Sequence, residues 1–503
     1  MNYLSRSSAA DDRIAHNYEK IFGNDSGEDE DPEILAKYFV ELQSFRNAYD
    51  KNRRLEIVKA RKGMGKSALL SHLQYRLEST IDPLDAGSIA IRVTGNDLMG
   101  LADFSGSDSS LMENRWKQVI CKRITMEIGK EISFAISDDS MTVIEAAEIE
   151  GFKGRNLVTC LTRRLGKIID VAAKAATGGA ASLDIVNPTE PKALAYQNIL
   201  TRVRQNSTRN VWILIDDIDA KFVDTSEQQC RIGSFFSAIR ALAFSVDGLR
   251  IRASVRTDVW TNLRLMEDQD KLRQYVSEIK WSDETLKVIF SKRILSYLQI
   301  FDEKNYGDWN EVDDYDRIVA QVFQGNFKIG SEKRSDPLSG VIAMAGKRPR
   351  WMGQLCKLAG AAAGNTLIQS RHFDYVLASF GKEKISDLIK EHKHQFVELE
   401  KLIDAFRETE KSNTRFKLLS IIDRGFVNKI GIDKIPLVNG FPFHTTDQIA
   451  KLLFEIDFLV GEKSGHHVPY HEQPTLFESE ANSQNKITWV LNLSYRRFLD
   501  VLN

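Results

Sequence analysis

The stretch "LEIVKARKGMGKSALLSHL" (55–73) constrains this chain more than any other. It runs from an apolar segment through two glycines to a lysine and a serine, and then into leucines at helical spacing. A loop that holds phosphates needs successive backbone N–H groups converging on the anion, with a helix N-terminus behind them. It also needs a lysine for the outer phosphates and a hydroxyl for Mg²⁺. Gly63 and Gly65 permit the close approach, and Lys66 and Ser67 supply charge and hydroxyl, so the cradle comprises Arg61, Lys62, Gly63, Met64, Gly65, Lys66, Ser67 and Ala68. Leu69, Leu70, Leu73 and Leu77 predict a buried helix starting where its dipole is needed. Ala60 takes the place of the first glycine of GxxxxGK[ST]. Alanine there demands an allowed φ but removes no donor, so the departure is tolerable. The alternative is a basic surface loop following an edge strand.

A magnesium triphosphate also needs a carboxylate at a neighbouring strand tip, with a second acid to orient water. "VWILIDDID" (211–219) ends an apolar run in Asp216, Asp217 and Asp219. Three carboxylates in one place repel each other, and a cation resolves the repulsion. Asp216 is the expected metal ligand together with Ser67, and Asp217 the candidate for polarising water. In "ASVRTD" (253–258), Arg256 is placed to face a bound γ-phosphate, or else only to pair with Asp258. In "GKRPRWMGQL" (346–355), Arg350 follows a proline at a helix start and could deliver a second cation. Structural or nucleic-acid use of Arg348 and Arg350 is the competing reading.

Five short apolar runs, at 55–60, 87–95, 211–219, 249–258 and 277–282, several of them near-continuous in Val, Ile and Leu, alternate with helical patterns. That texture predicts parallel strands covered on both faces, an α/β core. Residues 1–50 form an acidic and helical lead-in, with one helical pattern spanning 34–50, and 51–290 form the core. A helical insertion is expected at about 100–206, with patterns at 112–130, 139–150, 155–176 and 192–206. A helical lid spans 291–385. The C-terminal region, 386–503, runs helix (445–456), strand (457–462), long loop and strand (487–494), the order of a winged helix-turn-helix.

Charged residues are 28% of the 503 and the net charge is −1, so no global field draws the chain to nucleic acid or an anionic membrane. Four scattered cysteines without a CxxC pair argue against a zinc cluster or a disulfide framework. No run approaches the roughly 18 apolar residues of a membrane span. The expectation is a soluble cytoplasmic protein with no membrane partner.

Together the glycine loop "ARKGMGKSALL", the acids of "ILIDDID", the arginine of "SVRTD", the "IKWS" strand, the "RPR" helix start and the trailing winged pattern resemble a P-loop ATPase of the additional-strand class. They are similar to the STAND/KAP-like and origin-recognition-like AAA branches. The lead-in "IFGNDSGEDED…YFVELQSF" resembles that of bacterial P-loop ATPases found in anti-phage defence loci. The resemblance implies a parallel sheet of order 5-1-4-3-2, with ATP and Mg²⁺ at the tips of strands one and three. It further implies a helical lid, a winged module and a homo-oligomer formed through nucleotide-bound faces. Asp217 stands where many members carry glutamate, which implies slow hydrolysis, and no arginine finger is identified. ATP is expected over GTP because no NKxD-like base reader follows.

His466, His467 and His471 lie in the loop of the winged pattern, where a solvated loop is a better reading than a zinc site. The helix at 445–456 carries one lysine beside acids, poor equipment for phosphate binding. Protein docking is therefore favoured for this module. The leading reading is a P-loop switch whose ATP state arranges assembly or releases a partner effector protein encoded nearby. Its rivals are a DNA- or RNA-engaging loader or initiator, and a nucleotide-bound scaffold without turnover.

Overall fold

The computed structural model describes residues 17–101, 104–131, 209–220, 225–263, 269–329, 333–463, 466–470, 472–480 and 487–501, with a few further positions between 197 and 223. The helical patterns expected at 139–150 and 155–176 lie outside the described residues, as does most of that at 192–206. The chain divides into two compact units, one of residues 41–62 and 66–279, the other of residues 1–40, 63–65 and 280–503. Among the described residues no helix is long and apolar enough to cross a membrane.

The first unit is built on five strands, β1 Leu55–Ala60, β2 Ile89–Thr94, β3 Val211–Asp216, β4 Leu249–Arg256 and β5 Val276–Glu278. They pair in the order β2-β3-β4-β1-β5, and every pairing is parallel. Parallel neighbours place all strand C-termini along one sheet edge, where ligands of open α/β sheets bind. Both faces are covered, which is why β3 reads as an apolar run up to Asp216. On one face Leu70, Leu73 and Leu77 of α3 (Lys66–Glu78) pack on Trp212 and Leu214. On the other face α4 (Ser109–Glu131) and α5 (Ser226–Ser245) bury Trp116, Phe235 and Phe236, with Trp116 and Phe235 rings 5.2 Å apart edge to face. Burying each such side chain contributes on the order of 1.5–3 kcal/mol.

A charged pair lies inside this apolar frame. Arg252 of β4 is fully buried and faces Glu56 of β1 in register. Its guanidinium donates to the carbonyls of Ala48 (2.7 Å) and Asp50 (2.8 Å) and stacks 4.5 Å from the Trp212 ring. Glu56 is also fully buried and accepts from Arg53 at 2.6 Å.

The second unit gathers sequence-distant pieces. The acidic lead-in contributes α1 (Tyr18–Phe22) and α2 (Pro32–Tyr38), the latter capped by the Asp31 carboxylate accepting from the N–H groups of Glu33 and Ile34. Phe22 packs 6.3 Å from both Phe290, in α6 (Asp283–Phe301), and Phe323. Arg293 of α6 bonds Glu30 at 2.9 Å and lies over the Tyr38 ring. The single helix expected over 34–50 is broken. α2 ends at Tyr38, Phe39 and Leu42 are extended, and short helical turns follow at Gln43–Phe45 and Arg46–Tyr49. The apolar spacing is real but is divided between two units, because residues up to Val40 pack in one and those from Glu41 in the other.

Helices α7 (Pro349–Ala363) and α8 (Ser370–His392) follow, after a small antiparallel hairpin of β6 (Phe327–Ile329) and β7 (Lys333–Ser335). The C-terminal module sets α9 (Arg415–Ile422) and α10 (Thr446–Glu455) with an antiparallel sheet of β8 (Ser412–Asn413), β9 (Leu459–Lys463), β10 (His466–Val468) and β11 (Thr488–Leu491), ordered β10-β9-β11-β8. A short helix, α11 (Leu476–Glu480), lies in what the sequence presents as a polar loop.

Candidate phosphate and metal site

β1 ends at Ala60, whose backbone needs no left-handed conformation, so alanine is accommodated there. Gly63 and Gly65 have φ of +80° and +95°, values that disfavour any side chain. Helix α3 then starts at Lys66, which brings its unpaired N–H groups and positive dipole end to the loop. The Lys66 side chain is buried, and its ammonium donates to the Ala60 carbonyl at 3.3 Å. Trp281 donates its indole N–H to the Met64 carbonyl at 3.0 Å. Lys62 is exposed, while Arg61, Ser67 and Ala68 are half-buried. Gly65→Ala should strain the loop by about 1–3 kcal/mol, lowering the urea midpoint and weakening nucleotide affinity together; an unchanged midpoint would count against the left-handed assignment.

The acid cluster lies on the same edge as the C-terminal end of β1, at the tip of β3. Asp216 is only 1% exposed and its carboxylate has three donors: the Ser254 hydroxyl, the Asp217 N–H (3.1 Å) and Arg92 (3.4 Å). Asp217 has φ of +52°, a conformation that aspartate tolerates better than most residues. That turn is packed against Gly95, where an added Cβ would lie 2.5 Å from the Ile218 Cα. The turn carries Asp219 back to the β4 tip, where its carboxylate accepts from the Arg256 N–H at 2.6 Å. Burial raises the pKa of Asp219, and the charges of Lys66 and Arg256 oppose that shift. Asp219 therefore ties two strand tips together, a role that its place in the sequence cluster does not disclose.

Arg256 is given two carboxylate partners, Asp258 at 2.8 Å and Asp219 at 3.7 Å. Both pairings set its position at the end of β4. Of the two arginines around Pro349, Arg348 is buried, stacked over Trp351 at 4.2 Å with Glu391 at 3.9 Å, an internal structural pair. Arg350 is half-buried and donates its backbone N–H to the Gly63 carbonyl at 3.3 Å. Its side chain lines an open polar cavity of about 530 Å³ with Asp25, Gln354 and Lys357. The structure thus gives the structural reading to Arg348, while the Arg350 side chain lines a polar cavity.

The residue that sequence reading missed is Arg92. It lies in β2 as the one charge of "IAIRVT", and its guanidinium reaches Asp216, the Ser67 carbonyl (3.4 Å) and the Ser71 hydroxyl. The signal for it was a lone cation interrupting a strand otherwise fit for burial.

Among the described residues no cluster of three His, Cys, Asp or Glu side chains could hold a metal ion. Mg²⁺ does not require one, because it keeps several waters and takes one or two carboxylates plus substrate phosphates. One nitrogen of Arg92 lies 3.4 Å from both the Asp216 carboxylate and the Ser67 backbone carbonyl, so the β3 tip and the first turn of α3 lie close together, and the Asp216 carboxylate and Ser67 hydroxyl are hard oxygen donors of the kind that cation takes. That donor set fits Mg²⁺. His466 and His467 belong to β10, and His471 lies outside the described residues.

A parallel sheet covered on both faces, with a glycine loop opening a helix and a carboxylate at the tip of β3, defines the P-loop fold class. No family model matches the chain, and no curated protein does so. Solved structures similar to it include the Aeropyrum pernix ORC2 protein in ADPNP–ADP complexes, at 10% identity and a TM-score of 0.38, with 93% of this chain and 96% of that chain covered. Cdc6p from Pyrobaculum aerophilum is 11% identical with a TM-score of 0.31, covering 93% of this chain and 96% of its own.

Proposed function

We propose that this chain is an ATP-binding P-loop ATPase of the additional-strand class that acts as a slow nucleotide switch. The observation that carries the reading is the start of α3 at Lys66, directly after two left-handed glycines, on the sheet edge that also bears Asp216. The N–H groups of 61–68 and the helix dipole would bind the phosphates, with Lys66 on the outer ones. Ser67 and Asp216 would hold Mg²⁺, which when bound neutralises charge on the outer phosphates. Asp217 would polarise the attacking water. Arg256 would report the γ-phosphate from the tip of β4, and Arg350 would supply a second cation.

Turnover would then set the assembly state of a homo-oligomer or release a partner effector protein encoded nearby. A place in bacterial anti-phage defence rests on the resemblance of the lead-in alone. Phosphate release by wild type and by Asp217→Ala tests the reading. The variant should fall about 100-fold while still binding nucleotide, and equal rates would remove hydrolysis from the proposal. Measuring mass in solution with and without ATP tests the switch.

The second reading is a nucleic-acid-engaging ATPase, favoured if α9, α10 and the four-stranded sheet act as a winged helix. Against it, the polar residues of α10 are engaged within the module. Asp447 accepts from Arg415 at 2.6 Å, Glu455 accepts from Asn439 at 2.8 Å, and Lys451 lies 2.5 Å from Glu478 of α11. A helix occupied in this way suits protein docking better than groove reading. Stimulation of ATPase by duplex DNA, with steep salt dependence, would reverse that preference.

A further inference from the structure

We infer that Arg92 is a built-in counter-cation of the metal position, holding Asp216 while the site lacks Mg²⁺ and being displaced from it when the metal loads. This rests on the nucleotide reading above. A carboxylate as buried as Asp216 needs a compensating charge in every state of the protein. Lys66 does not supply it directly, because its ammonium is turned to the Ala60 carbonyl. Arg92 is the one cation within 4 Å of Asp216 among the described residues, and its nitrogen lies 3.4 Å from the carboxylate and 3.4 Å from the Ser67 carbonyl. It therefore spans the same two segments, the β3 tip and the first turn of α3, that are proposed to share the metal. A guanidinium and a divalent ion cannot both neutralise one carboxylate at that range without strong repulsion. The anchor that lets Arg92 reach across is the Ser71 hydroxyl, one helical turn beyond Ser67 on α3. With Asp216 given over to the metal, the side chain, already 20% exposed, keeps Ser71 and faces incoming phosphate oxygens, which its planar fork suits. Arg92 would thus make metal loading a competition, raising the Mg²⁺ concentration at which the site closes on nucleotide.

The test uses the full-length chain as wild type, Arg92→Gln, Arg92→Lys and Lys66→Ala. Binding of a fluorescent ATP analogue is followed while Mg²⁺ is titrated, and melting is recorded without nucleotide in EDTA and in Mg²⁺. Removing the competing charge should lower the Mg²⁺ midpoint of Arg92→Gln about tenfold, with Arg92→Lys close to wild type. In EDTA Arg92→Gln should melt below wild type, because Asp216 is left uncompensated, and Mg²⁺ should restore part of the loss. An unchanged or raised Mg²⁺ midpoint in Arg92→Gln overturns the proposal, and so does unchanged melting in EDTA. Wild type that binds no analogue sinks the nucleotide reading instead, and the EDTA and Mg²⁺ melting curves then decide the role of Arg92 on their own. Lys66→Ala, which should bind no analogue at any Mg²⁺ level, separates the two failures.

Discussion

Lys66→Ala should cut phosphate release from ATP by about 100-fold or more, the usual scale for removing one preorganised donor from developing negative charge. The side chain is buried at the start of α3, so it makes no surface contribution that water could replace. Its ammonium donates to the Ala60 carbonyl at 3.3 Å, and that long bond can be given up when phosphate arrives. The substitution should also push the Asp219 carboxyl further toward its neutral form. Burial already raises that pKa, and Lys66 is first among the charges that oppose the shift. Circular dichroism would show whether the fold survives, and the phosphate assay would give the loss. A folded Lys66→Ala protein that turns over ATP at the wild-type rate is incompatible with the proposed site.

The second large effect lies away from the chemistry. Arg252→Met should destabilise the sheet unit by about 3–5 kcal/mol, because it removes one of the two cations that oppose the buried Glu56 carboxylate and leaves Arg53 as the remaining one. Three things are lost together: the charge opposite Glu56, the donors to the Ala48 and Asp50 carbonyls, and the guanidinium over Trp212. The defect has a direction in pH. Burial raises the pKa of Glu56, while hydrogen bonding from Ser277 and the charges of Arg53 and Arg252 pull it back. A carboxyl whose folded pKa is raised contributes stability below its unfolded pKa and loses it as pH rises through the folded value. Without Arg252 that loss deepens, so the variant should lie closer to wild type at pH 5 than at pH 8 in urea denaturation. A deficit that is equal at both values would mean that Glu56 is not the group left with less compensation.

The parts of this molecule that sequence displays well are those in which chemistry is contiguous. Gly63, Gly65, Lys66 and Ser67 stand within five positions, and β3, covered on both faces, announces itself as an apolar run, so the loop and the β3 tip could be read directly, whereas the fifth strand, expected at 277–282, is the three-residue Val276–Glu278. Arg92 could not be read in this way. Its meaning depends on a register that sets β2 beside β3 and on the α3 turn its side chain reaches, neither of which is local. Asp219 and Arg256 show the same limit, since their partnership joins the ends of two strands separated by α5. The lead-in misled for a different reason. Its apolar spacing satisfies a helix, but Phe39 and Leu42 are extended because the residues on either side pack in different units. The two-residue strand β8 and the helix α11 are too short to produce any periodic signal.

The closing of Tyr18 onto the Thr366 carbonyl, at 2.8 Å across 348 positions, sets an order on biosynthesis. Chains generally acquire structure domain by domain as they leave the ribosome, the earlier portions first. Here the earliest described segment has no surface to settle on until α6 and α7 have been translated, whereas residues 41–279 can complete their sheet beforehand. Residues 17–40 therefore stay unpacked until α6 and α7, more than two hundred positions further along the chain, have been made. Their dense acidity, at Asp25, Glu28, Asp29, Glu30 and Asp31, suits that interval, because a charged and well-hydrated strand of nascent polypeptide resists sticking to its neighbours.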